Sequence, residues 1–355
     1  MKPRSEADAL VIGGGVAGLT AALWLHRAGL EVTVVDAGTP GGESTWAGGG
    51  IVCPVPPWAY PDAVESLVRR SRELFPALCT ELAEETGIDS EYRVCGLVLT
   101  ADPGRAGEAW LAHGHTPFQR GRLGDFEPAL ARPDTPALLL PEVAQVRNPR
   151  LARALVAHLA AHGVEVLAHR PVAALDLERG RCIGATLSDG TAFRADRTVL
   201  AAGAWTDSLL EASGLPTLGI APVRGQMLLF RIEPGTPRHV VNLADGYLIP
   251  RADGHVLAGS TVERAGFDAR PTREALHRLM AMAQAHCPRL TPDRLVAQWA
   301  GLRPGIRDDR PAIGRHAAAD GLWLQAGGYR NGLGMAPAAA ERLTEMITNR
   351  AQTCE

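Results

Sequence analysis

The chain has 355 residues, of which 46% are hydrophobic and 21% charged, and a net charge of −3 from 36 basic and 39 acidic side chains. At roughly 150 residues per domain, this length predicts about two domains or one large discontinuous one. The composition excludes a disordered or fibrous chain, and the near-balanced charge gives no global drive toward nucleic acid or an anionic membrane. The only lysine is Lys2, so no interior lysine exists for a Schiff base and no Gly-Lys-Ser/Thr phosphate loop is present. The six cysteines, Cys53, Cys79, Cys95, Cys182, Cys287 and Cys354, have long uneven gaps and read as reduced thiols. Met1 to Asp8 is short and polar, which fits no signal peptide, and the apolar run near Leu10 to Val16 is too short for a bilayer. A cytoplasmic protein is expected.

The chain opens as strand, turn, helix, strand. Ala9–Ile12 is a short apolar run suited to a buried strand. Val16 to Ala28 reads as a helix stopped by Gly29, and Glu31–Asp36 as the second strand. Gly38 to Gly50 is polar and glycine-dense. A helix is predicted from Pro61 to Gly87, and a strand over Val94–Thr100. Asn148-Pro149 signals a helix start running to His162, followed by a strand at Val164–Leu167. Cys182–Leu187 and Thr191–Ala195 flank a Ser188-Asp189-Gly190 turn, and Thr198–Ala202 reads as another buried strand. Ala221 to Thr261 is strand-rich, Thr272 to His286 helical, Leu322–Ala326 a strand, and an alanine-rich helix runs to about Thr348. The fold class is therefore α/β, α+β overall. A Rossmann-like cofactor domain is expected from residues 1–50, 147–215 and 300–355. A mostly antiparallel substrate domain is expected from 51–146 and 216–299.

Gly13-x-Gly15-x-x-Gly18 sits between the first strand and the first helix, as its mechanism requires. Gly13 permits the tight turn, Gly15 the approach of a pyrophosphate, and Gly18 close packing of helix on strand. The helix amino terminus faces the phosphate charge. Asp36 closes the second strand, where a carboxylate can accept a hydrogen bond from a ribose hydroxyl. The glycine-rich Gly41–Ile51 segment that follows, with hydroxyls at Ser44 and Thr45, suits FAD better than NAD. Its bulky Trp46 and Ile51 argue against a plain surface loop.

These residues resemble the FAD-dependent amine oxidases of the D-amino-acid oxidase superfamily, most closely the glycine oxidases of the thiamine pathway. The resemblance runs almost end to end. It is carried by Val11–Gly15, Ser44–Ile51, Val146–Arg150, Ala201–Trp205, Val223–Met227, Trp299–Gly305 and Tyr329–Gly332. It implies that Val16 and Ala17 lie at the pyrophosphate, with Asp36 and Ala37 at the adenosine ribose. Ser44, Thr45, Gly49, Gly50 and Ile51 would line the ribityl and ring region, and Val172 would contact adenine. Gly203 belongs to the same expected cofactor set. So does the run Gly328, Tyr329, Arg330, Asn331, Gly332, Leu333 and Gly334, beside the flavin. Tyr247, Arg303 and Arg330 match the substrate-holding positions. Gly328 stands where the family often has His, and Gly334 where it has a bulky aliphatic residue, so both reduce volume near the flavin.

An amino acid presents a carboxylate, which a guanidinium grips with two parallel charge-assisted bonds. Arg303, in an expected kink at Leu302–Gly305, is the expected anchor. Arg330 reads equally as a helix-start backbone element, and Tyr247 as a core tyrosine. The 11 histidines show no His-Glu-x-x-His pattern, so no metal and no histidine base is assigned. The resemblance implies non-covalent FAD and hydride transfer from a small amino acid, either glycine, sarcosine or a small D-amino acid. The acceptor would be molecular oxygen, and the product would serve thiamine thiazole biosynthesis. A D-amino acid dehydrogenase with another acceptor and a non-catalytic FAD-binding subunit remain the alternatives. The oligomeric state stays open, a homo-oligomer included.

Overall fold

The computed structural model describes residues 5–100, 102–113 and 116–351, so Lys2 and Cys354 lie outside the described residues. Two eight-stranded sheets and a small three-stranded one form the framework. In the first sheet, Ser5–Ile12 is central. It pairs in parallel with Val32–Val35 on one side and with Ala192–Leu200 on the other. Glu165–Leu167 extends it in parallel beyond Val32–Val35, and Leu322–Ala326 pairs in parallel with Ala192–Leu200. The four residues Val32–Val35 are all buried, as expected for strands covered on both faces.

The helix Val16–Arg27 buries Leu19, Leu23 and Leu25 against this sheet. The long helix Asp62–Thr86 ends at Gly87, whose φ of 69° makes the left-handed stop that glycine adopts without strain. With the helices Asn148–Ala161 and Gly332–Ala351 it completes the cover. One apolar cluster joins Leu19, Phe75, Leu155 and Leu343 from these four helices to Val11 and Val34 of the sheet.

The second sheet is antiparallel except for the parallel pair Val240–Asn242 with Leu97–Leu99. Its edge is a ribbon of two 11-residue strands, Ala221–Arg231 and Leu295–Gly305. The helix Arg273–His286 packs behind it, with Thr272 Oγ1 accepting from the Ala275 N–H at its start.

Several expectations change in detail. Thr198–Ala202 is not a separate strand, because Ala192–Leu200 runs unbroken from its antiparallel hairpin pairing into its parallel one. Val94–Thr100 divides at Gly96 into Arg93–Val94 and Leu97–Leu99, which enter different sheets. Leu302–Gly305 is no kink but the end of a strand held by regular pairing to Ala221–Arg224. Ser44–Ala47 forms one helical turn inside the glycine-rich segment.

Candidate functional site

A cavity of about 1280 Å³, part of it open to solvent, lies between the two large sheets. Its floor comes from the fingerprint. Gly13 has φ of 107°, and a Cβ there would stand 2.4 Å from the Ala201 carbonyl oxygen. A Cβ on Gly18 would stand only 1.8 Å from the Gly13 carbonyl oxygen. These two glycines therefore set the packing of turn, helix and strand, while Gly15, Val16 and Ala17 reach the cavity wall. The N-cap residue, Gly15, brings no side chain to the helix amino terminus, which meets the cavity. The Val16 N–H donates to Thr45 Oγ1 at 2.9 Å, which ties the fingerprint to the glycine-rich segment.

Asp36 is half-buried, and its two carboxylate oxygens accept from the N–H groups of Gly14 at 2.6 Å and Gly38 at 2.7 Å. It holds the turn itself and lies outside the cavity wall, as do Ala37, Val172 and Gly334.

The glycine-rich segment is clamped from the opposite sheet. Arg251 is 6% exposed. It donates to Gly49 O at 3.0 Å, Gln145 Oε1 at 2.6 Å and Val146 O at 2.8 Å. Burial holds its guanidinium down at about 10. Gly50 has φ of 79°, and a Cβ on it would meet Val146 O at 2.0 Å. Trp299 Nε1 donates to Ala47 O at 3.0 Å, and Gly301 leaves room for the Ala47 side chain. Trp46 is 45% exposed and packs edge-on to Trp299.

The structure brings the three expected substrate residues to one cavity. Arg303 is half-buried. Its Nη1 donates to Thr261 O at 3.1 Å and its Nη2 to Ser260 Oγ at 2.7 Å. Two of its five N–H donors are thereby used and three remain. No carboxylate among the described residues pairs with it. The guanidinium lies over Gly225, where a Cβ would come within 2.3 Å of Cζ. Tyr247 donates its hydroxyl to Met227 Sδ at 3.3 Å, a weak acceptor that leaves the group available. Arg330 is exposed at the rim, beside Tyr60.

Tyr60, Cys53 and Arg251 escape the sequence reading. Burial raises the Tyr60 phenol, with Arg330 opposing that rise. Burial pushes the Cys53 thiol up to about 12, so it stays protonated although it lines the cavity. A Cβ on Gly328 would stand 2.6 Å from Gly332 Cα, so a larger residue there requires the last helix to start differently. Gly334 has ordinary contact room, 3.4 Å to Val68 Cγ2.

A flavin fits these walls. Asn148 and Gln325 both line the cavity, and their buried Oδ1 and Oε1 lack a hydrogen-bond partner, as acceptors kept for a bound group would. The amino-terminal end of Gly332–Ala351, with Asn331 and Leu333, completes the wall. Its positive end suits an electron-rich ring.

Fold and cavity together define a dinucleotide-binding redox protein whose second sheet forms the opposite wall of the cavity. The chain belongs to the FAD dependent oxidoreductase family, whose model matches residues 8–346. It is 41% identical over 344 residues to a glycine oxidase of Pseudomonas putida, covering 96% of this chain and 94% of that one. It is 30% identical over 353 residues to the bifunctional protein ThiO/ThiG of Trichormus variabilis, covering 97% of this chain and 53% of that protein. The crystal structure of glycine oxidase from Geobacillus kaustophilus superposes with a TM-score of 0.86 at 28% identity, covering 97% of this chain and 95% of that one. Among the described residues no helix is long and apolar enough to cross a membrane.

Cys53 bears on how the cofactor is held. A protonated, half-buried thiol is a poor nucleophile. Purified protein should therefore be yellow, and acid precipitation should move the colour into the supernatant. Flavin retained in the pellet would show a covalent link.

Proposed function

We propose that this chain oxidises glycine and other small amino acids at the cavity, with molecular oxygen as acceptor. The observation that carries the reading is Arg303, a half-buried cation on the cavity wall with three free donors and no acidic partner among the described residues. Such a group favours an incoming carboxylate, because it already stands partly desolvated. Tyr247 would donate a further hydrogen bond to that carboxylate, and Arg330 would close the rim above it. Met227 and Gly225 shape the adjoining wall. FAD, held between the fingerprint helix, the Ser44–Ile51 segment and the Gly328–Leu333 run, would supply a two-electron acceptor for the hydride that leaves the substrate α carbon. The amine binds unprotonated, so no side-chain base is required for that step. Water then hydrolyses the imine to an oxo acid and ammonia, or an amine from a secondary substrate. Two electrons and two protons pass to oxygen as hydrogen peroxide.

Glycine as substrate rests on the likeness to glycine oxidases, and a role in thiamine thiazole formation on the likeness to ThiO/ThiG proteins. Cytoplasmic location and the division into cofactor and substrate domains belong to the same proposal. The test is oxygen uptake and peroxide formation with glycine, sarcosine and small D-amino acids, beside anaerobic dye reduction. The expected result is peroxide in step with oxygen uptake for all three classes. Fast dye reduction with negligible oxygen uptake would make the protein a dehydrogenase. A flavin bleached by none of these amines would end the catalytic reading.

A further inference from the structure

On the helical layer, away from the cavity, three potential ligands converge. His158 and His162 stand four residues apart at the end of Asn148–Ala161, on one helix face. Glu85, near the end of Asp62–Thr86, reaches across to both. Its Oε2 lies 3.0 Å from His158 Nδ1 and 3.5 Å from His162 Nε2. All three ligand atoms lie within 4.8 Å of one another. A tetrahedral zinc site with bonds near 2.0–2.1 Å has ligand atoms about 3.3 Å apart, so two of these spacings already bracket the required edge.

The other nitrogen of each ring is also provided for. His162 Nδ1 lies 2.9 Å from the His158 carbonyl oxygen, so it donates there and turns the Nε2 lone pair toward Glu85. His158 Nε2 faces Glu81 Oε1 at 3.7 Å, longer than a hydrogen bond, on a carboxylate that also pairs with Arg27; closing that gap by under about 1 Å would put Glu81 where a carboxylate orients a metal-bound imidazole. His158 is 3% exposed, and its buried Nδ1 approaches Glu85 Oε2 without hydrogen-bond geometry to it or to any other described residue. Glu85 and His162 keep side-chain exposures of 43% and 42%, which gives an ion an entry path and leaves a fourth position to water.

We propose that Glu85, His158 and His162 form a binding site for one divalent transition-metal ion of the zinc class, with Glu81 as the orienting carboxylate. Two imidazoles and one carboxylate suit zinc, and nickel or copper would enter by the same ligands. The helix Asn148–Ala161 places this end roughly 20 Å from Asn148 at the cavity, so the ion pins two helices and stays apart from the chemistry.

The probe is Zn²⁺, titrated by calorimetry into chelator-treated holoenzyme. One ion per chain is expected, with a dissociation constant on the order of 10 µM or tighter and a raised Tm. His162→Gln and Glu85→Gln, both partly exposed and easily folded, should each weaken binding at least about tenfold, and Glu81→Gln should weaken it less. FAD content and kcat/KM should be unchanged in His162→Gln. No saturable binding by the wild type would overturn the proposal and leave a plain histidine–glutamate pair. Binding unaltered in both His162→Gln and Glu85→Gln would overturn it by assigning the ion elsewhere.

Discussion

Replacing Arg303 with alanine is expected to lower kcat/KM for the best amine by the equivalent of about 2–5 kcal/mol. The substrate carboxylate would enter the same partly desolvated wall and find no partner. Ser260 Oγ and the Thr261 carbonyl would also lose their donor, but both remain within reach of water entering the vacated space. The fingerprint and the Arg251 clamp are untouched, so flavin content should stay near that of the parent. Steady-state oxygen uptake with parallel flavin absorbance separates the two effects. A fall smaller than about tenfold, or roughly 1.4 kcal/mol, would remove Arg303 from the anchor role.

Arg251 should act on the other half of the reaction, through the cofactor. Its removal orphans three acceptors at once: Gly49 O, Gln145 Oε1 and Val146 O. Each buried acceptor left unpaired costs about 1–3 kcal/mol, so Arg251→Ala should destabilise the fold by on the order of 3 kcal/mol or more. The Gly48–Gly50 backbone would lose its fixed position, and FAD content should drop with stability. Arg251→Lys should recover part of both, because an ammonium reaches fewer of the three oxygens. Flavin-to-protein ratio and urea unfolding midpoints are the readouts. A fully flavinated Arg251→Ala with an unchanged midpoint would show that the clamp is dispensable.

The fingerprint domain was legible because its signal is local. Strand, glycine turn, helix and terminal acid all fall within residues 9–36, and Gly18 answers to a contact inside that unit, although Gly13 packs against Ala201 from beyond it. Arg303 was legible through the Trp299–Gly305 motif. Its geometry was not, since a proline and two glycines read as a bend where ribbon pairing keeps them extended. Arg251 was invisible for a different reason. It sits in a hairpin bend, and its partners lie 105, 106 and 202 residues away in the chain. Tyr60 follows a 3₁₀ turn with no periodicity to mark it. Between residues 101 and 146 the elements are two to nine residues long, too short for a hydrophobic period to register. The His158–His162 spacing was present in the sequence. Only the crossing of the long helix gives it a third member.

The two-stranded ribbon has a consequence for anyone redesigning this protein. Val223 stands opposite Arg303, Gly225 opposite Gly301 and Met227 opposite Trp299, so one ribbon face carries the guanidinium, the space beneath it and the indole that fastens the glycine-rich segment. Because side chains alternate along a strand, inserting or deleting a single residue between Val223 and Met227, or between Trp299 and Arg303, would turn part of that face inside out. Substrate range is therefore best altered by point replacement along this ribbon, with Gly225 the most direct lever on where the guanidinium rests. Grafted loops and length changes belong on the other face of the sheet, at the helix Arg273–His286, whose Leu279 and Met282 pack with Leu228 and Phe230 and not with the cavity wall.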